Sequence, residues 1–126
     1  CDRAEPRTTL EARFSLQHAV AVALAEGKPA LHHFDPVAFP RFAALRARIT
    51  AREEARFTAA YPARFGAAVT ITLHDGMTHT VNIPDALGDP ENPLPEADLL
   101  AKARMLMASA GVDAEPLIIA SLALTE

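Results

Sequence analysis

Arg13, Ser15, Gln17 and His18 bring a cation, a hydroxyl, an amide and an imidazole into six consecutive positions, directly ahead of the apolar run 19–25. Their types and order suit anion recognition. If Ser15 caps the helix that follows, free backbone N–H groups and the positive end of the helix dipole lie near residues 15–18. Arg13, in an extended lead-in, could reach the same space. This matters because residues five apart within one helix diverge by about 140°. A guanidinium beside a helix N-terminus makes a carboxylate site, with Arg13 and Ser15 binding the substrate. A nearby imidazole, His18, could then move a proton as the catalytic group. The plainer reading of the same residues is a capped core helix, with Arg13 paired to Glu11 on the surface and His18 half-buried as packing.

The other chemically capable side chains do not converge in sequence. His32 and His33 are adjacent in a loop, His74 sits at a turn, His79 in a strand and His18 in a helix. None shows the spacing of a metal site. The single cysteine, Cys1, can form neither an internal disulfide nor a thiol metal site, so a reducing cytoplasm is the expected compartment. No glycine-rich phosphate loop and no Gly-x-Ser-x-Gly occur, and acidic pairs such as Glu53-Glu54 read as solvated surface.

The elements that must position this group follow from the patterning. At 126 residues, 50% hydrophobic and 22% charged, the chain has the composition of one globular domain. Its formal net charge of -4 and the absence of a Lys/Arg run point away from nucleic acid and anionic membranes. The longest apolar run has seven residues (19–25), against roughly 20 for a membrane span. No secretion signal is visible. Cys1 in place of a starting Met, followed by a polar lead-in, suggests a piece of a longer protein.

Thr8 and Ser15 are both candidate N-caps for the first helix, which Gly27 and Pro29 close. Asp35-Pro36 opens a second helix with Val37, Phe39, Phe42, Leu45 and Ile49 as its apolar stripe. Residues 53–60 fit a helical turn or an irregular strand. From residue 67 the period becomes two, and Asp75-Gly76 between two alternating runs predicts a β-hairpin over about residues 69–83. Pro95 starts a helix that Gly111 ends, and Asp113 caps a last one over 114–124. A lone hairpin is marginal in water, so a third strand is expected, from residues 49–57 or from upstream. The fold class is α+β, a small two-layer domain with helices packed on an antiparallel sheet.

The stretch Glu-Ala-Arg-Phe-Ser-Leu-Gln-His-Ala-Val-Ala (11–21) resembles the Glu-Ala-Lys-Phe-Ser-x-x-Tyr/His-x-x-Ala signature of the MmgE/PrpD family. Pro6, Tyr61-Pro62, Asp75-Gly76, the loop Gly88-Asp89-Pro90-Glu91-Asn92-Pro93-Leu94 and Lys102 follow the family's order. The family includes 2-methylcitrate dehydratase, cis-aconitate decarboxylase and iminodisuccinate epimerase. The resemblance implies that residues 1–126 are the C-terminal α+β lid of a two-domain enzyme whose N-terminal helical domain lies outside this sequence. It implies a cofactor-independent lyase or isomerase for small di- and tricarboxylates, homodimeric when whole, with the active site between the two domains. Arg13 matches the signature lysine and His18 the Tyr/His position. Arginine binds carboxylates but does not readily act as a base, which favours substrate positioning at residue 13. The base is implied to come from the helical domain, so this chain alone is expected to be inactive. The alternative is a non-catalytic module that binds a carboxylate or mediates dimerisation.

Overall fold

A computed structural model describes residues 3–124 of the chain. It forms two compact units, Cys1–Glu54 and Ala55–Glu126. Among the described residues the architecture is α+β, with six α-helices, two 3-10 turns and a two-stranded antiparallel sheet. No helix among the described residues is long and apolar enough to cross a membrane.

In the first unit both candidate caps are used, each by its own helix. Thr8 caps α1 (Thr9–Arg13) by accepting from the Glu11 N–H at 3.1 Å. Ser15 caps α2 (Leu16–Glu26) by accepting from the His18 N–H at 3.0 Å. Gly27 ends α2 at φ 74°, a left-handed conformation that costs glycine little. Residues Leu31–Phe34 and Pro36–Ala38 are 3-10 turns, and α3 spans Phe39–Arg46. The small side chains of α2 let α3 approach closely. Ala21 and Val22 pack on Phe42, with Ala38, Leu45 and Ile49 at the margin. Val37 does not join the expected stripe; it is 89% exposed. The regular α-helix begins only at Phe39, so Val37 falls outside its 3.6-residue phase.

In the second unit residues 55–60 settle as a helix, α4 (Ala55–Ala60), and residues 49–57 supply no strand. The hairpin forms where the alternation placed it. Strands β1 (Ala67–Thr72) and β2 (Thr78–Ile83) pair with Val69 opposite Val81 and Thr70 opposite Thr80. Because directly paired residues share a face, one face carries Val69, Ile71, Val81 and Ile83. The other is rich in threonine, and the Thr70 and Thr80 hydroxyls bond at 2.9 Å. Gly76 makes the turn at φ 85°, and the Asp75 carboxylate accepts from the Met77 N–H at 2.9 Å. Helices α5 (Glu96–Ser109) and α6 (Glu115–Leu122) are tied by Arg104, which binds both carboxylate oxygens of Glu115 at 2.5 and 3.3 Å. The N-cap of α6 is Ala114, which offers no side-chain acceptor, rather than Asp113 as the sequence suggested. The Asp113 carboxylate, one residue earlier, receives the Glu115 N–H at 3.1 Å, and the helix ends at Leu122.

Candidate functional site

The first unit holds the residues that the sequence singled out, and its helix break decides where each one goes. Arg13 does not precede α2 in extended backbone, as the sequence suggested; it is the last residue of α1. The chain then turns through Phe14, whose N–H donates to the Glu11 carbonyl at 3.2 Å while the Ser15 N–H donates to the Ala12 carbonyl at 3.1 Å, and Ser15 begins the next helix. Two short capped elements thus replace one extended segment and one helix. Arg13 is exposed and makes no ion pair with a described residue. Glu11, the partner offered by the plainer reading, instead binds the Arg3 guanidinium at 3.1 Å and the Arg7 N–H at 2.8 Å. Exposed Leu10, Phe14 and Leu16 flank Arg13 in sequence.

Ser15 is 1% exposed. Its hydroxyl donates to the Arg3 carbonyl while accepting from the His18 N–H, so its proton is already used. Gln17 is buried at the same helix start.

His18 has no exposed surface. Three phenylalanines surround it edge-on, with ring centroids 5.4 Å away for Phe34, 5.2 Å for Phe39 and 5.6 Å for Phe42. Both ring nitrogens are engaged. Nδ1 lies 3.2 Å from Nη1 of Arg46, and Nε2 lies 2.9 Å from the His33 carbonyl. A guanidinium only donates and a carbonyl only accepts, so these partners assign the proton to Nε2 and the lone pair to Nδ1. The imidazole is therefore held neutral. Burial pushes its pKa below the ordinary value of 6.5; the bond to the His33 carbonyl opposes this, and the charges of Arg46 and His33 add to it.

Arg46, which the sequence reading passed over, is central to this arrangement. It is only 7% exposed. Its Nε donates to the Ala4 carbonyl at 2.9 Å, and Nη1 donates to the Phe39 carbonyl at 3.1 Å as well as to His18. The signal was present in the spacing. Phe39, Phe42 and Arg46 stand at i, i+3 and i+7, one face of α3. His33 is buried too; its Nδ1 accepts from the Ala30 N–H at 3.0 Å, and its Nε2 lies 4.0 Å from Glu26, which also pairs with Arg41.

Arg13 and His18 are thus separated by exposure: one faces outward, the other lies inside an aromatic cage. What the arrangement presents is an exposed cation with exposed apolar residues beside it in sequence, next to a buried, hydrogen-bonded imidazole and guanidinium. Among the described residues no group of three or more His, Cys, Asp or Glu side chains gathers to hold a metal ion.

The whole chain, residues 1–126, matches the sequence model of the MmgE/PrpD C-terminal domain. No curated protein gives a match.

Proposed function

The chain belongs to the MmgE/PrpD family through its C-terminal domain, and from that premise we propose that it forms one wall of a cleft for small di- or tricarboxylates in a cofactor-independent lyase or isomerase. In this reading it acts as a lid over the helical domain of the same protein, a cytoplasmic enzyme that works as a homodimer.

The observation that carries the reading is Arg13, an exposed guanidinium without an ionic partner among the described residues, flanked in sequence by exposed Leu10, Phe14 and Leu16. Its full charge and five donors remain available to a substrate carboxylate. The apolar neighbours exclude water once a second surface covers them, which strengthens a charge-assisted hydrogen bond. Ser15 contributes through the backbone, by fixing the start of α2 directly after Arg13, since its own hydroxyl proton is taken up by Arg3. His18 is a positioning residue here. Its nitrogens join α2 to His33 and Arg46, and a proton-transfer role would require both bonds to open. A cation at residue 13 with no base beside it is suited to orienting substrate, with proton abstraction assigned to the helical domain.

The test is Arg13→Ala in the protein that carries both domains, assayed with methylcitrate and cis-aconitate. Losing one charge-assisted partner lowers kcat/KM about ten- to a hundredfold. Arg13→Lys restores part of the rate, because the charge survives while the bidentate geometry does not. The melting temperature stays near wild type in both variants, since the side chain has no partner to lose. Full activity in Arg13→Ala overturns the proposal.

A further inference from the structure

We propose that Arg46 is the anchor of a second anion site, separate from Arg13, which takes a compact oxyanion such as a carboxylate or phosphate group. Arg46 lines a cavity of about 320 Å³ whose walls include Ala4, Glu5, Arg7, Ala43 and Ala47. The guanidinium is more than nine-tenths buried, and its protein partners are two backbone carbonyls and a neutral imidazole. It has no carboxylate counter-ion among the described residues. A buried charge in that state carries an uncompensated desolvation cost, which an anion in the adjoining cavity relieves.

The donor inventory defines the geometry. Nε and both Nη1 protons are committed to Ala4, Phe39 and His18. The two Nη2 protons make no hydrogen bond to a described residue. An anion therefore meets Arg46 end-on at Nη2, without the two-nitrogen fork that arginine offers when free. Arg7 and Glu5 are both exposed at the cavity wall, and Glu5 makes no ion pair with Arg46. With Arg46 charged, the three side chains sum to one net positive charge, which suits a small anion. Occupation of the site also reaches inward, because the same guanidinium donates to His18 Nδ1.

The experiment is thermal unfolding of the full chain titrated with succinate or inorganic phosphate, against sodium chloride at matched ionic strength. A saturable rise in melting temperature beyond the chloride response is expected. The stronger of the two probes identifies whether carboxylate or phosphate is preferred. Arg13→Ala keeps the response, which separates this site from the other cation. Arg46→Gln abolishes it if the variant folds. Ala43→Glu provides the second arm, because a carboxylate three residues before Arg46 on the exposed side of α3 can occupy the anion's place. This variant should melt higher than wild type without added anion and bind the probe at least tenfold more weakly. No saturable response beyond chloride in wild type, or an undiminished response in Ala43→Glu, overturns the proposal.

Discussion

Acid should destabilise this protein through His18, and the size of the effect follows from its surroundings. The ring is fully buried, and its neutral form is held by a donor at Nδ1 and an acceptor at Nε2. Its folded pKa therefore lies below 6.5, the ordinary value that the unfolded chain retains. As pH falls through that ordinary value, the unfolded state takes up a proton that the folded state refuses. The unfolded state then binds more protons, so stability falls with pH by about 1.4 kcal/mol per unit, until the folded-state pKa is reached. Above the ordinary value both states are neutral and His18 contributes no slope. The perturbation is His18→Gln, which keeps an amide donor and acceptor but does not titrate. The measurement is urea unfolding of both proteins from about pH 7.5 down to about pH 5. The variant is less stable at neutral pH because it leaves the phenylalanine cage poorly filled, so the decisive quantity is the difference in slope. With an m-value of about 1 to 3 kcal/mol/M, the wild-type midpoint should drop roughly 0.5 to 1.4 M per pH unit more steeply than that of the variant. The other four histidines are common to both proteins and cancel. Equal slopes, or a wild type that gains stability in acid, would refute the burial argument.

Two further outcomes test the local geometry. Ser15→Ala removes the acceptor for the His18 N–H and should cost about 0.5 to 2 kcal/mol in chemical denaturation, while Ser15→Asn recovers most of it. Gly66→Ala would place a methyl group 2.7 Å from the Pro84 carbonyl oxygen and 2.8 Å from Phe57 Cδ1; because one neighbour is backbone, a loss of about 1 to 3 kcal/mol is expected, and unchanged stability would show that the strand entry can shift.

The parts that were legible in the sequence are those set by local rules. The hairpin follows from strict alternation around Asp75-Gly76, and its strands are within two residues of the expected limits. Both caps at Thr8 and Ser15 are side chains acting three residues ahead. The misplaced features depend on distant contacts. That Thr8 and Ser15 serve two helices depends on where the backbone turns at Phe14, which neither cap specifies. Arg46 reads as one more arginine in a charged stretch, because its partners Ala4 and His18 lie 42 and 28 residues away. His18 reads as half-buried for the same reason: the phenylalanines that enclose it come from α3 and the turn Leu31–Phe34.

The interruption at Phe14 makes neighbouring positions answer to two different axes. In one unbroken helix Arg13 and Gln17, four apart, would stack along a single side. The covering that buries Gln17 would then fall on the cation as well. With the axis reset between them, the charge stays in water while the amide goes under cover, although only three residues intervene. The rotational offset between the two helices is thus stored in the backbone turn, independently of which side chains they bear. Removing residue 14 would advance the second helix by about 100° in phase. The composition would barely change, yet the outward-facing and inward-facing positions would no longer be the same ones.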